Sequence, residues 1–195
     1  MTTADTSAAS PERQRVLDYI HSRAEGMRAA EIRARVHAAG AELEAALDGV
    51  GAADARRRPP DGGWSAAQVV DHVAQTTIRV AEELRHLLAG RRPPGPPVYE
   101  SLTSGAADRV PWEELRAGLR AASAEVDAIL SAADDATPRA ARVTAILVVS
   151  RREPDGRVVT DTWPEELDWK AYALVQRLHL LEHRGQVRAL GKLPA

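Results

Sequence analysis

The chain has 195 residues, 44% of them hydrophobic and 28% charged, enough for one compact domain with a real core. A formal net charge of −2 supplies no basic field for nucleic acid or an acidic membrane, and the absence of cysteine excludes disulfides, thiolate zinc sites and a cysteine nucleophile. The first fifteen residues lack the apolar run of a signal peptide, and no stretch approaches the roughly 18 apolar residues of a membrane span, so the cytoplasm is the expected location.

Alanine (37 residues), leucine, arginine and glutamate dominate, and phenylalanine is absent, which points to helices. Residues 1–10 are small and polar and read as a disordered tail, leaving residues 11–195 as a single domain. Ser10-Pro11 has the signature of a helix start. Apolar residues at Val16, Ile20, Ala24 and Met27, then at Ile32, Val36, Ala39, Leu43, Leu47 and Val50, step by three and four. The five-residue step beside Gly26 predicts one helix over 11–49 or two pieces of it. After the breakers Pro59-Pro60-Asp61-Gly62-Gly63, Ser65 and Gln68 have capping-box spacing and open a second helix that stops at Gly90.

Residues 91–111 carry five prolines and read as a long ordered crossover. Leu115, Leu119, Ala122, Val126 and Ile129 then form the seam of a third helix over 112–132. The β-branched run 142–149, the Glu153-Pro154-Asp155-Gly156 turn and the run 157–162 predict a β-hairpin, with a helix broken at Pro154 as the alternative. Pro164 is expected to start a last helix running to Leu190. The long crossover and the inserted hairpin argue against a simple up-and-down arrangement of four helices.

The chemistry concentrates in His179-Leu-Leu-Glu-His183-Arg-Gly-Gln186. Residues i and i+4 of a helix differ by about 40° in angle and about 6 Å in rise, so both imidazoles leave one face, as needed to grip one ion. Lys170, Arg177, Arg184 and Arg188 form a charged stripe expected to face solvent, almost opposite the histidines, which therefore face inward with Gln186. Burying two imidazoles is costly without partners. A metal ion and ordinary hydrogen bonds are both open as the compensation. His72 is a candidate third ligand at the edge of an apolar stripe; His21, His37 and His86 have surface patterns. Tyr172 and Asp168 share the histidine face, as orienting partners or as packing and capping groups. The short arginine runs 56–58 and 91–92 read as solvated surface rather than a nucleic-acid contact. No phosphate loop, nucleophile elbow or dinucleotide fingerprint is present.

Gly63-Trp64-Ser65, with His72 eight residues after the tryptophan, resembles the "WS…H" segment of the DinB/YfiT-like superfamily, and His179-x-x-x-His183-x-x-Gln186 resembles its closing signature. The resemblance covers roughly residues 30–190. It implies an all-α four-helix bundle with a crossing topology, to which the hairpin is a departure. It implies one divalent metal ion on His72, His179 and His183, and a homodimer. Imidazole ligands suit zinc or nickel, and three protein ligands leave positions open for water or substrate. Superfamily members are thiol S-transferases or isomerases using low-molecular-weight thiols, so the resemblance implies a small-molecule substrate and, with no cysteine in the chain, a thiol cosubstrate. A hydrolase using metal-bound water and a non-enzymatic, stress-associated metal-binding bundle are the other readings of the same site.

Overall fold

The computed structural model describes residues 10–152, 155 and 157–191. Five α-helices and one hairpin follow in the order α1 (Pro11–Gly26), α2 (Ala29–Leu47), α3 (Ala66–Leu88), α4 (Trp112–Ser131), β1 (Val143–Arg152), β2 (Val158–Leu167) and α5 (Trp169–Leu190). A 3₁₀ turn at Ala106–Asp108 interrupts the crossover.

The first predicted helix is two. Met27 and Arg28 are both extended, and the Glu31 carboxylate accepts from Arg28 N at 2.8 Å, satisfying a donor at the start of α2. The break matches the slip in the apolar phase: Ile20 and Ala24 are buried from α1, and Ile32, Val36, Ala39, Leu43 and Leu47 from α2. At the start of α3 the capping box forms as expected, Ser65 Oγ accepting from Gln68 N and Gln68 Oε1 from Ser65 N. In α4 the seam is buried at Leu115, Leu119, Ala122 and Val126, and Trp112 Nε1 donates to Val50 O at 3.2 Å.

β1 and β2 pair antiparallel with Val143 opposite Leu167 and Leu147 opposite Trp163; these four side chains are buried, so one face of the hairpin closes on the core. The hairpin therefore replaces the broken-helix alternative. Of its expected turn, Glu153, Pro154 and Gly156 lie outside the described residues, as do residues 1–9 of the expected tail.

Two expectations are corrected. Pro164 does not start the last helix: it sits in β2 opposite Ile146. In a two-stranded ribbon half of each strand's N–H groups point away from the partner, so proline is tolerated there. The true cap is Asp168, whose carboxylate accepts from Ala171 N at 2.9 Å and is held by Arg139. Nor is the stripe on α5 its solvent face. Lys170 is buried and donates to Met27 O at 2.8 Å; Arg177 donates to the Tyr19 hydroxyl, and Arg184 pairs with Glu42. Three of the four charged side chains thus reach across to α1 and α2, and Arg188 is exposed.

Helix α5 packs on α2, α3 and α1, and α4 packs on α3 and α2. The core between them is built from Leu43, Leu47, Leu84, Leu87, Leu119, Leu130, Trp169 and Leu174. No described helix is long and apolar enough to cross a membrane.

Candidate metal centre

Helices α3 and α5 are joined by a ladder of polar contacts in which residue number rises on one and falls on the other. Tyr172 donates to the Glu83 carboxylate, Gln176 Nε2 donates to Thr77 Oγ1 at 2.9 Å, and His179 Nε2 lies 3.0 Å from His72 Nε2. The helices therefore run antiparallel, and this register brings the first histidine of the sequence pair against the one on α3. His183, one turn later, places Nε2 3.0 Å from the same His179 nitrogen. His72 and His183 are buried and His179 is half-buried.

The outer nitrogens fix which atoms face inward. His72 Nδ1 lies 2.8 Å from Leu102 O, a carbonyl that can only accept. His183 Nδ1 lies 2.9 Å from Gln186 Oε1, likewise an acceptor. Each Nδ1 therefore carries the proton, and in the neutral ring each Nε2 keeps its lone pair. Burial lowers the pKa of all three rings: His72 below its ordinary value, His183 to about 4 and His179 well below the ordinary histidine range, with the neighbouring imidazoles adding to the effect at His179 and His183. The rings are neutral at pH 7. His179 Nε2 then offers one proton or one lone pair to two neighbours that both offer lone pairs, and its own Nδ1 is buried without a hydrogen-bond partner. Hydrogen bonds alone cannot satisfy this arrangement.

A cation can. Nitrogens about 2.1 Å from one ion stand roughly 3.0–3.4 Å apart for angles between about 90° and 109°, and the observed separations of 3.0 Å fall at the lower end. The three ligand nitrogens all lie within 4.8 Å of one another, a group that could hold a metal ion. Neutral imidazoles on two helices, two with the opposite nitrogen tied to an oxygen acceptor, form a donor set that could hold a metal ion.

That outer shell has one element that sequence reasoning missed. Asp71 is buried, and its carboxylate accepts from Ser104 N, Ser104 Oγ and Gly105 N at 3.1, 2.5 and 3.0 Å. It clamps the loop that delivers Leu102 O to His72. Gly105 there has φ +70°, a left-handed conformation natural to glycine. A carboxylate beside a histidine was the one signal in the sequence; nothing indicated Leu102. Trp64 lies against the cluster, its ring centroid 4.9 Å from His72 and 6.4 Å from His183, stacked on the latter at 8°.

The remaining sequence candidates separate cleanly. Gln186 orients His183. Tyr172 bonds Glu83, and Asp168 caps α5, so both serve packing and capping rather than the histidines. His21 and His37 are exposed and His86 is half-buried; none joins the cluster.

The family model described as the DinB superfamily matches residues 35–187, which takes in all three histidines, and the chain belongs to that superfamily. No curated protein and no solved structure matches it.

Proposed function

We propose that the protein is a metal-dependent enzyme of its superfamily, with one divalent ion, zinc or nickel, held by His72, His179 and His183. The observation that carries this reading is the convergence of three neutral Nε2 atoms with too few protons among them to pair. We assign residues 11–195 to one domain in which α2, α3, α4 and α5 form the superfamily's four-helix bundle. α1 and the hairpin are then additions at its side. The working unit is a homodimer in the cytoplasm.

The reaction that best suits the site is transfer of a low-molecular-weight thiol to an electrophile. A divalent ion bound there would lower the pKa of a thiol or water molecule brought to it. The chain itself supplies no thiol, so the nucleophile comes from a cosubstrate. The protein's part is positioning. Leu102 O and Gln186 Oε1 hold two ligand rings in one tautomer, the Asp71 clamp holds the Leu102 loop, and the Trp64 ring forms an apolar wall beside the cluster. Fixing a nucleophile beside its electrophile removes several kcal/mol of barrier.

The test is an assay of metal-loaded protein with mycothiol, bacillithiol, glutathione or coenzyme A against a panel of electrophiles. Thiol consumption should depend on the metal and vanish in His179→Ala. Metal-dependent cleavage of esters or amides without thiol consumption would replace the transferase with a hydrolase. Full metal loading with neither activity would favour a non-enzymatic binding bundle.

A further inference from the structure

A cavity of about 290 Å³ opens between α2 and α4 and reaches the interior at Thr77 and Gln176. None of the three clustered histidines lines it. We propose that it is a second binding site, for a small neutral molecule of one or two rings carrying a hydrogen-bonding N–H or O–H group. This proposal is independent of the metal reading.

Three observations carry it. The first is that the space is built in. Gly40 lies within α2, where glycine is a poorer helix former than alanine, yet a Cβ there would meet nothing within 4 Å. Ala124 faces the same space from α4. Small residues on both walls leave the gap between these two helices unfilled.

The second is the floor. Gln176 and Thr77 are 2% and 1% exposed. The Gln176 amide donates to Thr77 Oγ1, and its Oε1 has no hydrogen-bond partner. A buried polar atom without a partner calls for a reason. A ligand N–H or O–H group at this floor would supply the missing donor.

The third is charge. Two ionic groups at the rim are already paired: Asp127 takes two hydrogen bonds from Arg33 at 2.9 and 2.7 Å, and Arg120 lies 3.3 Å from Glu44; the His37 imidazole also lines the site. Val36, Val126 and Leu180 supply apolar wall. Asp127 and Arg120 are thus already neutralised by their own partners, and the apolar walls favour an apolar body. A dry protein cavity of roughly 150 Å³ takes up benzene, so about twice that volume suits a fused bicyclic ring.

The experiment titrates the full chain with indole, 2-naphthol and naphthalene, following binding by calorimetry and by amide shifts of α2 and α4. Saturable 1:1 binding of indole or 2-naphthol is expected, at least tenfold tighter than naphthalene. Gly40→Leu should weaken it at least tenfold while helicity stays unchanged. Ala124→Phe, which fills the space from the opposite wall, provides the same readout if Gly40→Leu fails to fold. Gln176→Leu should remove the preference for the donor-bearing probes. No saturable binding to the natural chain, or binding undiminished in the folded filling variant, would overturn the proposal.

Discussion

Leu102 presents its carbonyl oxygen to Nδ1 of His72 at 2.8 Å, across thirty residues of chain and from a loop with no regular structure. The contact dictates the tautomer of the ring, and it depends on Asp71, which grips Ser104 and Gly105 two and three residues further along. Adjacent residues on α3 thus have linked tasks: one faces the cluster, and the other holds the loop that orients it.

Asp71→Asn should therefore weaken metal binding about 10- to 100-fold, the usual range for loss of an outer-shell partner. The substituted amide keeps one accepting oxygen for the three donors. The discriminating measurement is the ¹⁵N spectrum of His72 in metal-free protein. The Nδ1–H tautomer should dominate in the natural chain and become mixed in the variant. An unchanged tautomer with weakened metal binding would refute the linkage.

Removing a ligand should move stability in opposite directions with and without metal. His179 sits between two lone pairs and has a buried Nδ1 with no partner, so the metal-free fold carries an uncompensated polar group. Replacing it with an apolar group removes the buried, unpartnered Nδ1 and gives up at most one hydrogen bond to a neighbouring imidazole, so the two effects offset each other. Metal-free His179→Leu should unfold at the same urea midpoint as the natural chain or gain about 1 kcal/mol. The rise in Tm on adding zinc or nickel, set by mass action, should disappear. A loss of several kcal/mol in the metal-free variant would show that the cluster is satisfied without an ion.

The histidines also set a pH dependence. Each has a folded pKa below its unfolded value, so between the two the unfolded chain binds more protons than the folded one. The contribution is fully present above about pH 6.5, and stability falls as pH drops toward the folded values, about 4 for His183. His183 alone would account for roughly 3 kcal/mol over that interval. Metal affinity should fall across the same interval, since protons compete for the same nitrogens. Urea unfolding of metal-free protein at pH 7.5, 6 and 5 tests the sign; a midpoint that stays level or rises on acidification would contradict it.

The site was more legible in the sequence than the fold around it. The His179–His183 spacing and the Ser65–Gln68 capping box are local patterns, fixed by helix geometry over three or four residues, and both appear as read. The hairpin followed from β-branched runs. What failed was information carried over long sequence distances. Pro164 is a common first residue of a helix, and only pairing with Ile146 keeps it in a strand. The arginine stripe marked a polar side of α5, but whether that side meets water or another helix depends on where α1 and α2 lie. The Leu102 carbonyl has no side-chain signature at all.

Lys170 tests the fold without touching the histidine cluster. Its ammonium group is buried, donates to Met27 O at the end of α1, and lies 3.8 Å from Asp135 and 5.6 Å from the Trp169 ring. Lys170→Met keeps the length and the apolar stem but leaves the Met27 carbonyl without that donor, a loss of about 1–3 kcal/mol. Nine residues separate Lys170 from His179, roughly 13 Å along the helix axis, so effects at the two positions should be independent. Lys170→Met should lower the urea midpoint and leave metal affinity unchanged, whereas Asp71→Asn should weaken metal binding. In the double variant the folding free energy and the metal-binding free energy should each equal the sum of the single-variant changes in that same quantity to within about 0.5 kcal/mol. A Lys170 variant that loses metal affinity would mean that the break between α1 and α2 is mechanically coupled to the histidine cluster.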